Sequence, residues 1–300
     1  MEILRLENVS KSFGATVAVT DLSLAAGEGT MFGLLGPNGA GKTTTIRMIM
    51  DIIAPDTGTL EVCGRPHASG VLDQVGYLPE ERGLYRKMRV ADMLVFFGTL
   101  KNLSTADARA RAARWLERFG MADAAGRKIE ELSKGNQQKI QLLVTMLHEP
   151  RLIILDEPFS GLDPLNTQLV KDALLELKAA GCCVIVSTHL MEHVEKLCDS
   201  ICLINRGRSV LAGRLAEIKA RFGADTALIE YDGDIAFLRE LDFVEALDDY
   251  GKYAEVHLRD IEKYPELLRA AAARLRIRRF ELVEPTLHQI FIQTVKETGG

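Results

Sequence analysis

Gly36-Pro37-Asn38-Gly39-Ala40-Gly41-Lys42-Thr43-Thr44 is the stretch from which the rest of the chain can be read. It satisfies G-x-x-x-x-G-K-[ST]. It follows Thr30–Leu35, a short apolar strand, and opens Thr43–Met50, a helix, which is the setting the motif requires. Glycines at 36, 39 and 41 let the backbone wrap a phosphate chain with its N–H groups pointing inward, and the helix start adds favourable partial charge. Lys42 would neutralise β- and γ-phosphates, and the Thr43 hydroxyl would ligate Mg²⁺. A nucleotide is the expected ligand.

Two further segments join this loop. Leu152-Ile153-Ile154-Leu155-Asp156-Glu157 reads as a buried strand ending in two carboxylates. Asp156 suits a partner of Mg²⁺, and Glu157 suits a general base for an attacking water. Ser187-Thr188-His189 stands just past another buried strand, Cys182–Ser187. The strands at 30–35, 152–155 and 182–187 all deliver polar residues at their carboxyl ends. In a parallel sheet those ends share one edge, where ligands bind, so His189 is placed within reach of a γ-phosphate.

Outward from there, Ile3, Leu4, Leu6 and Val9, then Val17, Val19, Leu22 and Leu24, follow period two, which predicts an antiparallel pair. Gly58–Cys63 and Val75–Leu78 read as further strands. Residues 85–125 read as helical, with Val90, Leu94, Phe97 and Leu100 on one stripe and Ala112, Trp115, Leu116 and Phe119 on another. Trp115, Leu116 and Phe119 read as ordinary core. Ser133 precedes a helix with the stripe Ile140, Leu143, Val144, Leu147, and Leu165–Ala180 is helical. Apolar strands alternating with helices predict a mainly parallel sheet covered on both faces. After about Gly213 the texture becomes that of a small α+β module: strands at Thr226–Tyr231, Phe243–Leu247, Glu255–Leu258 and Arg274–Leu282, helices at Ile235–Leu241, Ile261–Ala273 and Thr286–Val295.

Composition sets the frame. Three hundred residues, at about 150 per domain, predict two domains. Net charge is −5, which argues against bulk attraction to nucleic acid or an anionic membrane. Residues 221–300 carry 11 basic and 16 acidic side chains, so all of that charge lies at the end of the chain. Arg274, Arg276, Arg278 and Arg279 make a basic strip too short to argue nucleic acid. The charged N-terminal stretch MEILRLENVS does not read as a secretory signal, and no apolar run approaches the ~18 residues of a membrane span. Five cysteines without a CxxC pair read as reduced, buried thiols in a cytoplasmic chain.

With these pieces in order, the chain resembles the ABC-type ATPases over residues 1–215. Leu132-Ser133-Lys134-Gly135-Asn136-Gln137-Gln138 looks like their signature and Ser160-Gly161-Leu162-Asp163 like their D-loop. His189 resembles their switch histidine, and Phe13 stands where they place an adenine-stacking aromatic. The resemblance implies a P-loop NTPase core of ABC type at 1–218: a mainly parallel sheet, an antiparallel β subdomain and a helical subdomain at about 85–145. An accessory α+β domain follows at 222–300. It also implies two copies sandwiching two ATP, each lying between the phosphate loop of one chain and Ser133, Gly135, Asn136 and Asp163 of the other. Ser133 suits an N-cap that leaves helix N–H groups facing an anion.

The chain departs from the family at Glu80, where Gln is usual, and at Lys134 and Asn136, where Gly and Gln are commoner. Glu80 keeps an oxygen for Mg²⁺ or the lytic water but adds a negative charge. Pro79-Glu80-Glu81-Arg82-Gly83-Leu84-Tyr85 and the tail Val283-Glu284-Pro285-Thr286-Leu287-His288-Gln289-Ile290-Phe291 resemble bacterial sodium- or drug-export subunits with an extra C-terminal domain. The implied activity is ATP hydrolysis, driving a separate transmembrane permease from the inner face of the cell membrane. That partner would dock on the helical insert. A soluble ABC ATPase acting on ribosomes or DNA is the rival reading; a single phosphate loop and the lack of a long heptad insert disfavour it. A slow regulatory subunit is disfavoured by Glu157 and His189.

Overall fold

A computed structural model describes residues 1–66, 70–81, 83–222 and 225–297, with side chains as far as residue 294. Arg82, part of the motif around Glu80, lies outside the described residues. The chain forms two compact units, Met1–Arg214 and Leu215–Gly300.

In the first unit the elements run β1 (Glu2–Phe13), β2 (Thr16–Gly27), β3 (Met31–Leu35), α1 (Lys42–Ile49), β4 (Thr57–Val62), β5 (Arg65–Pro66) and β6 (Val75–Leu78). Then come α2 (Val90–Leu100), α3 (Thr105–Arg118), α4 (Lys134–Met146), β7 (Leu152–Asp156), α5 (Pro164–Ala179), β8 (Cys183–Thr188), α6 (Met191–Leu197), β9 (Ser200–Asn205) and β10 (Arg208–Arg214). The strands form two sheets. One is antiparallel, ordered β2-β1-β4-β5, and the other is ordered β10-β9-β3-β8-β7-β6. In the second sheet β9, β3, β8, β7 and β6 are parallel and β10 is antiparallel at the edge. Every residue of β3, β7 and β8 is buried, as strands covered on both faces must be. A single core joins the sheets: Leu4, Leu6, Val19 and Leu60 pack with Leu34, Ile46, Ile154 and Ile185.

Two glycines are fixed by close approach. A Cβ on Gly36 would lie 2.2 Å from the Ile204 carbonyl oxygen, at φ +150°. One on Gly76, in β6, would lie 2.4 Å from the Thr145 carbonyl oxygen, so α4 lies directly against that strand.

The helical insert differs from expectation in detail. Residues 85–89 are not helical: the Met88 N–H closes a turn onto the Tyr85 carbonyl, Arg89 bridges to Lys128, and two helices follow. In α2 the buried side is Val90, Met93, Leu94 and Gly98, whereas Leu100, at the last turn, is 59% exposed. Trp115, Leu116 and Phe119 are buried, as core residues should be. The elements α6, β9 and β10 were not legible in the pattern. Among the described residues no helix is long and apolar enough to cross a membrane, and all five cysteines are buried and unpaired.

The second unit holds α7 (Leu215–Phe222), β11 (Thr226–Asp232), β12 (Val244–Asp249), β13 (Tyr253–Leu258), α8 (Tyr264–Arg274), β14 (Arg276–Val283) and α9 (Leu287–Glu297). Its antiparallel sheet runs β12-β13-β11-β14 over a core of Ile229, Tyr231, Val256, Leu258 and Leu267. The helix expected at Ile235–Leu241 is only a 3₁₀ turn, Ala236–Glu240, begun by Asp234 accepting the Ala236 N–H. Arg276, Arg278 and Arg279 face solvent, Arg278 forking onto Asp232 at 2.7 and 3.1 Å.

Candidate active site

The carboxyl ends of β3, β7 and β8, together with the segment after β6, surround one cavity of about 470 Å³. Thr16, Val17, Ala18, Asn38, Gly39, Gly41, Lys42, Thr43, Thr44, Glu80, Asp156, Glu157 and His189 line it. Five separate segments converge on one place, four of them because adjacent parallel strands end along one rim and the fifth, Thr16–Ala18, from β2 of the antiparallel sheet.

The phosphate loop wraps around its own lysine. Lys42 Nζ donates to the carbonyls of Gly36 at 2.7 Å and Pro37 at 3.1 Å. Burial pushes this ammonium below its ordinary range, and Glu157, Asp156 and Glu80 oppose that shift. Gly36, Pro37 and Ala40 form the back of the loop and do not line the cavity; Ala40 is buried. The backbone N–H groups at the start of α1 give this end of the helix its positive character.

Thr43 Oγ1 donates to Asp156 Oδ2 at 3.4 Å, and Ser187 Oγ donates to Asp156 Oδ1 at 2.8 Å. Burial nonetheless lifts the Asp156 carboxyl above the ordinary carboxylate range; the Ser187 bond opposes this, and the Glu80 and Glu157 charges add to it. Asp156 and Glu157 are sequence neighbours, and an extended strand would aim them at opposite faces. Glu157 instead takes φ +50°, in the left-handed region, and this bend lets both carboxylates line the same cavity. Glu157 Oε2 accepts from Thr188 Oγ1 at 2.8 Å.

The oxygen donors Thr43, Asp156 and Glu80 suit a hard divalent cation. Among the described residues no group of three or more His, Cys, Asp or Glu side chains could hold a metal by itself. That donor set fits Mg²⁺, which takes one or two carboxylates and completes its shell with substrate phosphates and water.

The remaining predicted residues lie elsewhere. Ser133 is the N-cap of α4, its Oγ accepting from the Asn136 N–H at 3.3 Å. Gly135 lies against the D-loop, an ideal Cβ there being 3.6 Å from the Gly161 carbonyl oxygen. Asp163 caps α5 by accepting from the Asn166 N–H at 2.8 Å, and that bond holds its carboxyl below the ordinary range. Ser133, Gly135, Asn136 and Asp163 do not line the cavity. Phe13 does not line it either: the ring is 50% exposed at the end of β1, with Lys11 Nζ 5.8 Å from its centroid. Thr16, Val17 and Ala18 of β2 occupy that wall instead. They were missed because only hairpin geometry carries them there. Ser187 and Thr188 carried a signal, two hydroxyls at the end of a buried strand, but their carboxylate partners did not show in the spacing.

Known proteins are similar along nearly the whole chain. Residues 19–160 match the ABC transporter family, and residues 213–295 match the C-terminal domain of ATP-binding proteins of DrrA1-3 type. The ABC transporter ATP-binding protein YhaQ of Bacillus subtilis is 44% identical over 293 residues, covering 98% of both chains. The Nod factor export ATP-binding protein I of Burkholderia lata is 36% identical, covering 88% of this chain and 87% of its own. A solved ATP-binding subunit of an ABC transporter superposes with a TM-score of 0.70 at 32% identity, covering 74% of this chain and 93% of the other. A phosphate loop, paired strand-end carboxylates and full-length likeness of this degree lead to one conclusion: the chain belongs to the family of ABC transporter ATP-binding proteins and ends in a DrrA-like C-terminal domain.

Proposed function

We propose that this chain is the ATP-hydrolysing subunit of an export-type ABC transporter, working as a pair of copies against a separate membrane permease. The observation that carries the reading is the bend at Glu157, which aims a second carboxylate into the cavity that already holds Lys42, Thr43 and Asp156. In this reading the loop N–H groups and Lys42 grip the β- and γ-phosphates. Thr43, Asp156 and Glu80 would hold Mg²⁺, which supplies charge neutralisation at the phosphates when bound. Glu157 takes a proton from the attacking water at one of its carboxylate oxygens, and His189 orients that carboxylate. The N-terminus of α4 at Ser133 and the start of α5 at Asp163 face the nucleotide of the second copy. Export is supported by likeness to the Nod factor export protein.

The permease would dock on the helical insert, peripheral to the membrane on its cytoplasmic side. Tyr85, Phe96 and Phe97 form a ring cluster there with centroids 5.4–6.1 Å apart, and Tyr85 and Phe96 are 54% and 38% exposed. A cavity of about 330 Å³ lined by Ala91, Asp92, Val95, Phe96 and Arg109 opens beside it.

The test is complementation in solution. Lys42→Ala and Ser133→Ala chains should each hydrolyse little ATP. A mixture of the two should recover part of the activity, because one mixed site keeps both Lys42 and Ser133. No recovery on mixing would overturn the shared-site reading.

A further inference from the structure

We infer that Gln141, on α4, is a positioning residue for Glu80; the inference rests on the reading of Glu80 as a ligand at the ATP site. The Gln141 side chain is buried, and its Nε2 donates to the carbonyls of Pro79 at 3.4 Å and Glu81 at 3.3 Å. Those are the carbonyls on either side of Glu80, which lines the cavity. One amide therefore spans the residue whose carboxylate faces the site.

The orientation of the amide is forced. Turned over, it would set its oxygen against two carbonyl oxygens, whereas the NH₂ group has two protons to give. The cost falls on the other end: Gln141 Oε1 is buried and, among the described residues, has no hydrogen-bond partner. An orphaned acceptor of this kind is destabilising. Ile140, Leu142 and Leu143 are all fully buried beside it, so an aliphatic side chain would suit the same helix. Stability alone therefore gives no reason for an amide at this position. Holding the Glu80 segment does.

The rest of α4 supports the same arrangement. One turn on, the Thr145 hydroxyl donates to the Gln141 carbonyl at 2.9 Å and lies 3.4 Å from the Tyr77 carbonyl, and the Thr145 carbonyl lies against Gly76. The helix thus grips the chain at 76–77, within β6, and again at 79 and 81. Pro79 offers no N–H of its own, so a side chain from outside the segment is well placed to fix it. A shift of α4, which begins at Ser133, reaches the Glu80 carboxylate through Gln141.

The experiment uses the full chain and Gln141→Met, which keeps the volume and removes both donors; Gln141→Leu is the second variant if Met lowers the yield of folded protein. The expected result is a fall in kcat of about tenfold, the scale for losing a partner that orients a metal-site ligand, with KM for ATP within about twofold. In the Glu157→Gln background, binding of a fluorescent ATP analogue should need about tenfold more Mg²⁺ for half-saturation. The Tm should not fall. Combined with Glu80→Ala, Gln141→Met should have no further effect, because its target is gone. Wild-type kcat and Mg²⁺ response in Gln141→Met would overturn the inference, as would an equal loss with and without Glu80. Wild-type hydrolysis that Lys42→Ala abolishes serves as the control. Its absence would remove the ATPase reading and this inference with it; its presence beside an inert Gln141→Met would remove this inference alone.

Discussion

His189 holds Glu157 twice: its ring Nδ1 lies 2.6 Å from Glu157 Oε1, and its backbone N–H donates to the same oxygen at 3.0 Å. With Thr188 Oγ1 on Oε2, both oxygens of the carboxylate are engaged. The arrangement fixes the acid in place from the end of β8, and a water molecule must share an oxygen that already accepts a bond, Oε2 being the less engaged of the two.

Replacing Glu157 by Gln preserves the shape and removes the base. Turnover should fall by about 10²–10⁴-fold, the usual worth of a positioned general base, while ATP binding persists. Phosphate release measures the first effect. Size-exclusion chromatography with Mg²⁺ and ATP should show a long-lived pair of chains. Parental turnover in this variant would remove Glu157 from the reaction.

Asp156 gives a pH-dependent signature. Burial raises its carboxyl above the unfolded value of 3.8, so its contribution to stability is fully present in acid and is lost as pH rises through the folded pKa. Ionised Asp156 therefore works against the fold of the nucleotide-free chain at neutral pH. Asp156→Asn should raise Tm at pH 7, and the gain should shrink as pH falls and the buried acid takes up its proton. Thermal melts across that range check the sign. The same variant should bind Mg²⁺-nucleotide more weakly, since it gives up a charged oxygen at the metal site.

Gly36→Ala should damage both fold and site. The new methyl group meets the Ile204 carbonyl at 2.2 Å, and φ +150° is strained for any side chain. Overpacking of this kind costs about 1–3 kcal/mol. Denaturant melts should show that loss, and nucleotide affinity should fall with it because Lys42 rests on the Gly36 carbonyl.

How far the sequence carried the reading depends on what each feature rests on. The buried strands β3, β7 and β8 were legible because continuous apolar runs bounded by Gly or Pro have few alternatives. β9 was not, since no Gly or Pro between residues 191 and 200 sets Ile201-Cys202-Leu203-Ile204 apart from the helix before it. Leu100 fits a helical stripe by spacing, yet it falls at the end of α2 where the stripe meets solvent. At the site, spacing brought Lys42, Asp156, Glu157 and His189 to one rim. It could not show that a left-handed residue keeps two neighbouring acids on one side, nor that Phe13 stops short of the cavity wall.

The contact between Gly76 and Thr145 has a mechanical consequence. Nothing larger than a hydrogen atom fits there, so neither helix nor strand has slack in which to creep past the other. Under the function proposed above, in which α4 links Ser133 to Glu80, this joint would act as a rigid lever, made by the residue with no side chain.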